Sequence, residues 1–109
     1  MKLAQYQWKN RIMLIFSPSQ EDDRFARQLE LFDQNRNALE ERNIVVLKVV
    51  GPVEPRVRSQ FRVGVQEFCA VLIGKDGNEK HRWSDVAPVE QISHRIDRMP
   101  MRRAEMRDR

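Results

Sequence analysis

The sequence predicts an α/β domain built around a mixed four-stranded sheet. Three short, continuous apolar runs begin at Arg11, Ile44 and Phe68, and each has the length of a buried strand. Segments with helical periodicity lie between these runs. The third run ends in an Asp-Gly turn followed by alternating residues, a pattern typical of a hairpin. The predicted element order is therefore β-α-β-α-β-β-α, with flanking helices.

The first strand is predicted over residues 11–16, and a long helix follows it. Ser19 begins a sequence that resembles a capping box, with acidic residues in the first turn. Phe25, Leu29 and Phe32 then recur at i, i+4 and i+7, which places them on one helical face. We therefore expect one helix that starts after Ser19 and ends just before the second apolar run.

The second strand is predicted over residues 44–50, a run rich in β-branched side chains. Two buried strands joined by a helix form a βαβ unit, so the first two strands should be parallel. Val53, Val57 and Phe61 then recur every four residues behind Pro55. This spacing predicts a short second helix.

The third strand is predicted over residues 68–73 and a shorter, half-exposed return strand over 79–83. Ser84 and Asp85 are candidate caps for a last helix, with Pro88 in its first turn. Its apolar stripe consists of Val89, Ile92, Ile96 and Met99. We expect Pro100 to stop or kink this helix, which leaves residues 100–109 as a short basic C-terminal extension.

Length, charge and cysteine content exclude several classes of protein. The 109 residues suit a single domain covering 1–109, and the single cysteine excludes an internal disulfide, a Cys-x-x-Cys pair and a thiolate zinc site. The net charge of +4 is spread along the chain, which does not favour nucleic-acid binding. We find neither an apolar run long enough to cross a membrane nor a motif for a cofactor or a metal, and therefore expect none of these.

Four stretches of the chain carry a resemblance to a known family. They are Trp-Lys-Asn-Arg (8–11), Phe-Ser-Pro-Ser (16–19), Leu-Ile-Gly-Lys-Asp-Gly (72–77) and Ile-Asp-Arg-Met-Pro-Met-Arg-Arg (96–103). The chain resembles a bacterial, thioredoxin-like family of unknown function. That family is related to the peroxiredoxin-like domain of vertebrate extracellular-matrix sushi-repeat proteins. The resemblance implies a thioredoxin-like fold, no established enzyme activity and a periplasmic or secreted location, although a cytosolic chain would start in the same way.

The loop after the first strand lacks the group on which thioredoxin-type chemistry depends. Such an oxidoreductase needs a thiolate there, at the start of the first helix. This chain carries Ser17, Ser19 and Asp22 in that region and no sulfur. The three residues are candidates for a hydrogen-bonding ligand site, and they also have the composition of ordinary turn and cap residues.

Cys69 has two interpretations. Counting back from Gly77 places it about where thioredoxins carry a proline that faces the active-site loop, so it could serve as a single-thiol redox site beside Ser17 and Ser19. Alternatively, Cys69 is a small apolar residue at the start of a buried strand, which is the commoner role of a free cysteine.

The arginines of the C-terminal extension are the last candidates. Arg102 and Arg103 stand between methionines, and this composition suits a tail that binds a partner. The alternative is a structural role, in which the methionines pack on the sheet and the arginines pair with nearby acidic side chains. We therefore expect a non-catalytic binding domain for a protein or an envelope or matrix component. The alternative is a single-cysteine redox enzyme or sensor that uses Cys69.

Overall fold

The four strands form one mixed sheet with the strand order β2-β1-β3-β4. The computed structural model describes residues 1–108. β1 (Arg11–Ser17) pairs in parallel with β2 (Ile44–Val50) and antiparallel with β3 (Cys69–Ile73), which pairs antiparallel with β4 (Glu79–Trp83). These pairings confirm the mixed sheet, the parallel first pair and the final hairpin.

Helices cover both faces of the sheet. They are α1 (Asp23–Gln34), α2 (Arg36–Glu41), α3 (Pro55–Phe61), α4 (Val89–Asp97) and α5 (Pro100–Arg107), and a short 3-10 helix precedes β1 at Leu3–Tyr6. Side chains from α1, α2 and α4 share one hydrophobic cluster with one face of the sheet. Those of α3 and the 3-10 helix share a second cluster with the opposite face. Because β1 and β3 are buried on both faces, their sequences are continuous apolar runs.

The first helical region ends where it was predicted, with Arg42 as its C-cap, but it differs from the prediction at its start and in its middle. It consists of two helices rather than one, and they are separated at Asn35. The first helix starts three residues later than the Ser19 capping pattern suggested. Its N-cap is Asp22, whose side chain accepts a hydrogen bond from the Arg24 amide. The carboxylate at Asp22 is therefore the group that satisfies an otherwise free N–H of the first turn.

The start of the fourth helix was also predicted wrongly. Ser84 and Asp85 do not cap α4, which begins at Val89 after an extended Pro88. The buried Gln28 side chain on α1 explains this difference. Its amide donates to the Ala87 carbonyl at 3.1 Å and accepts from the Ala87 N–H at 2.7 Å. These two bonds hold the chain extended just before the helix.

The third helix and the C-terminal segment bring two further differences. α3 begins at Pro55, so Val53 lies outside the helix and is exposed rather than part of an apolar stripe. Residues 100–107 form the helix α5 with Pro100 in its first turn, where a missing N–H does no harm. The C-terminal extension is therefore helical over residues 100–107, and its residue Arg102 is buried.

Candidate functional site

Two polar side chains of the segment after β1, those of Ser17 and Asp22, form hydrogen bonds within that segment, and Ser19 takes part through its carbonyl. The buried Ser17 hydroxyl donates to the Ser19 carbonyl at 2.9 Å. The Asp22 carboxylate accepts from the Arg24 amide at 2.9 Å and from the Arg24 guanidinium at 2.8 and 3.0 Å. Hydrogen bonding from Arg24 lowers the pKa of Asp22. This segment therefore has the contacts of a turn and a helix cap.

Cys69 and Ser17 face opposite sides of the sheet. Cys69 pairs with Phe16 across the β1–β3 ladder, and both side chains belong to the cluster beneath α3. Because side chains alternate along a strand, Ser17 points to the α1 side instead. Burial raises the pKa of the Cys69 thiol, a shift that the charge of Arg82 opposes. The sheet thus separates the thiol from the hydroxyl that the sequence suggested as its companion.

The C-terminal candidates lie at the opposite end of the molecule. Arg102 is 2% exposed, and its guanidinium contacts Asp97 at 3.2 Å. On the same helix, Glu105 accepts two hydrogen bonds from Arg11, each of 3.2 Å, and one of 2.6 Å from Lys75. The neighbouring Arg103 is exposed. Arg102 is therefore part of the packing of α5, and only Arg103 of the two faces solvent.

The six candidate residues do not form one surface. Arg11, which holds α5 through Glu105, is the first residue of β1, and Ser17 is the last. The six residue steps between them correspond to about 20 Å of strand. Ser17, Ser19 and Asp22 thus lie at one end of the sheet, while Arg102 and Arg103 belong to a helix fixed at the other.

The sequence reasoning missed a buried arginine next to the loop after β1. Arg58 of α3 is 5% exposed and donates to the carbonyls of Ser17 at 3.2 Å, Gly51 at 2.8 Å and Gly64 at 2.8 Å. Its guanidinium also lies over the ring of Phe16 at 5.6 Å. Burial lowers the pKa of Arg58. In the sequence, Arg58 directly follows Val57 of the predicted apolar stripe, and only this position could have indicated that it is buried.

Within residues 1–108 no carboxylate forms a hydrogen bond or salt bridge with Arg58, and Glu67 acts on it only through its charge, which opposes the effect of burial on the pKa of Arg58. Its bonds are to carbonyl oxygens, and its Nε atom is buried without a hydrogen bond. A groove of about 480 Å³ lies above this side chain, between α3 and the loops on either side of it. The end of the molecule that holds the loop after β1 therefore combines a partly desolvated positive charge with an open groove.

Residues 1–108 provide neither a metal centre nor a membrane-spanning helix. In this range no three His, Cys, Asp or Glu side chains are grouped so that they could hold a metal ion. None of the described helices has the length and apolar character needed to cross a membrane.

The chain is similar in sequence to segments of two larger animal proteins. It is 26% identical over 133 residues to the coiled-coil domain-containing protein 80 of Danio rerio, and the match covers 95% of this chain and 15% of that protein. It is 25% identical over 120 residues to the sushi repeat-containing protein SRPX of Homo sapiens, with 95% of this chain and 26% of that protein covered. The chain therefore spans about a quarter or less of the length of these relatives.

Solved structures and a family model complete the comparison. The 2-Cys peroxiredoxin of Plasmodium vivax superposes with a TM-score of 0.73 at 16% identity, covering 97% of this chain and 85% of that one. The thioredoxin peroxidase I of Plasmodium yoelii gives 0.69 at 17% identity, with 97% and 80% covered. These similarities confirm the predicted thioredoxin-like fold. The family model described as "Domain of unknown function (DUF4174)" matches residues 2–105, and the chain accordingly belongs to that family.

Proposed function

We propose that this chain is a non-catalytic, thioredoxin-like binding domain. The observation that supports this function best is the placement of its only sulfur. Cys69 is buried under α3, and the loop after β1 presents serines whose contacts are those of a turn. The structurally similar peroxiredoxin is named for two cysteines, whereas this chain has one. A thioredoxin-like architecture without an accessible thiolate favours binding over thiol chemistry.

The proposal is tested by the reactivity of the Cys69 thiol. Because burial disfavours the thiolate, we expect the native protein to form no sulfenic acid with hydrogen peroxide, as measured by dimedone trapping and mass spectrometry. Labelling by a thiol reagent should be slow in buffer and complete in urea. Peroxide or glutathione turnover by the native chain that disappears in Cys69→Ser would instead establish the redox alternative.

Two variants separate a loss of chemistry from a loss of fold. Cys69→Ser puts a hydroxyl into an apolar cluster, whereas Cys69→Ala removes the sulfur without adding a polar atom. Both should keep any binding activity of the parent chain once they are folded, as monitored by circular dichroism. A binding activity lost in a folded Cys69→Ala variant would contradict the proposal.

We also propose that the domain works outside the cytoplasm, in the periplasm or after secretion. The family resemblance supports this location. Fractionation of the source cells followed by immunoblotting tests it, and recovery of the protein in the cytosolic fraction alone would overturn it.

A further inference from the structure

The groove beside α3 is bordered by unusually exposed apolar side chains. Val53, in the turn before α3, is 48% exposed, and Val65, in the loop after it, is 40% exposed. Both line the groove. Three other large hydrophobic side chains in residues 1–108 are similarly exposed, those of Met1, Trp8 and Met101. Two of these five exposed apolar side chains therefore border a single groove of about 480 Å³.

Two guanidinium groups line the same groove. Arg58 forms the partly buried side, and Arg62, the C-cap of α3, lies exposed beside it. Within the described residues neither arginine forms an ion pair with an acidic side chain. The nearby Glu67 instead accepts a hydrogen bond from the Gly64 amide at 3.1 Å. The groove thus carries positive charge that the fold does not neutralise by direct contact.

Arg62 closes α3 and is one of four non-glycine residues with positive φ in residues 1–108. Arg62 has a φ of 57°, in the left-handed region that glycine or asparagine usually occupies at a helix end. Its backbone N–H closes the helix by donating to the Arg58 and Ser59 carbonyls. The side chain of Arg62 forms no hydrogen bond or ion pair within residues 1–108, so its exposed guanidinium is available to an external group.

We propose that this groove docks an extended acidic segment of a protein partner. In the bound state a carboxylate pairs with the exposed Arg62 and lies above the buried charge of Arg58, and aliphatic side chains on either side of it contact Val53 and Val65. Charge complementarity identifies the occupant, because two guanidinium groups without a direct ion pair, one of which, Arg58, also feels the charge of Glu67, suit a carboxylate. The apolar borders favour a peptide that carries aliphatic residues over a simple anion. This inference rests on the proposed function, since it names the partner of a domain that works by binding.

The test uses the full chain and a defined peptide probe. The probe is acetyl-Ser-Leu-Val-Glu-Val-Leu-Ser-amide, and its control carries Gln in place of Glu. We expect the acidic peptide to shift the amide resonances of Val53 and of residues 62–65 in 1H–15N spectra. Its affinity should exceed that of the Gln peptide by about fivefold or more and should fall as salt is added. Absence of these shifts, or equal affinity of the two peptides, would overturn the inference.

Matched charge reversals on α3 localise the contact. Arg62→Glu should weaken binding of the acidic peptide by about fivefold or more. Arg56→Glu changes the net charge equally but lies outside the groove, so it should alter the affinity by less than about twofold. Equal losses in the two variants would show a diffuse charge effect and contradict the proposed docking. Both variants are exposed changes, and unchanged melting temperatures confirm that each is folded.

Two other occupants are excluded by the same measurements. If hexanoate produces the same shifts with the affinity of the acidic peptide, the site takes a small carboxylate and the inference fails. It also fails if the same shifts appear on raising the protein concentration without peptide, because the groove then binds a second copy of the chain. In either case an inert Cys69 would still support the proposed function.

Discussion

Arg58 connects three segments of the chain at the end of the sheet where β1 and β2 terminate. Its donors reach the carbonyls of Ser17, Gly51 and Gly64, which belong to β1 and to the loops before and after α3. Hydrogen bonds from a charged donor stabilise more than neutral ones, and buried carbonyls that lose their donor are costly. A single side chain therefore fixes the position of α3 and, with it, the groove.

Replacing Arg58 by methionine should strongly destabilise the domain. The variant keeps an unbranched apolar stem but leaves the carbonyls without a donor, so we expect the free energy of unfolding to fall by about 3 kcal/mol. Urea denaturation followed by circular dichroism measures this change. Arg56→Met on the exposed side of α3 is the control and should change the stability by less than about 0.5 kcal/mol. Similar losses in both variants would contradict the anchoring role of Arg58.

Helix α5 is attached mainly through charged groups. Its residue Glu105 accepts from Arg11 and Lys75, while Arg102 reaches Asp97 at the end of α4. Arg102 is the one buried residue among those that α5 contributes over Pro100–Arg107. Breaking a buried ion pair from one side leaves an uncompensated charge behind, which destabilises more than the pair itself stabilised.

Removal of α5 should therefore destabilise the rest of the chain. A chain truncated after Met99 leaves the guanidinium of Arg11 buried without its carboxylate, and we expect a loss of about 3 kcal/mol in the free energy of unfolding. Thermal and urea denaturation measure it. Arg103→Ala on the same helix removes an exposed charge and should leave the melting temperature unchanged. An unchanged melting temperature in the truncated chain would mean that α5 is a free tail.

Charge pairing extends across the whole domain and links its stability to pH. Burial opposes ionisation of Asp97 and Glu105, but hydrogen bonds from Arg42, Arg102, Lys75 and Arg11 outweigh it. The pKa values of both carboxyls are consequently lower than their ordinary values of 3.8 and 4.5. A carboxyl with a depressed pKa in the folded state adds stability above its ordinary pKa and loses it as the pH falls through the folded value.

The domain should accordingly lose stability in acid, below about pH 4.5. We expect the urea midpoint to be nearly constant between about pH 7 and 5 and to fall steeply towards pH 3. The double variant Asp97→Asn, Glu105→Gln begins with a lower midpoint and should show a shallower acid decrease. Equal acid decreases in the parent and the double variant would show that these two carboxyls are not responsible.

Much of the fold follows from local patterns in the sequence. The apolar runs at residues 11–16 and 44–50 predicted β1 and β2. A continuous run suits β1, which is buried on both faces, whereas β2 at the edge of the sheet is mostly half-buried and exposes Lys48. The Asp-Gly turn predicted the β3–β4 hairpin, and its Gly77 has a φ of 85°, which glycine adopts at no steric cost. These elements depend on neighbours in the chain, so the sequence alone indicates them.

Other features depend on contacts between distant residues. The start of α4 is set by Gln28, which lies 59 residues before its hydrogen-bond partner Ala87, and the packing of α5 depends on Arg11, 94 residues before Glu105. The sequence determined the order of the four strands and of the helical regions between them, the lack of sulfur in the loop after β1 and the presence of a single cysteine. Only the tertiary structure decided that Cys69 and Ser17 face opposite sides of the sheet and that Arg58 lies beneath a groove. Polar contacts across long sequence separations have no periodicity, so only the assembled fold reveals them.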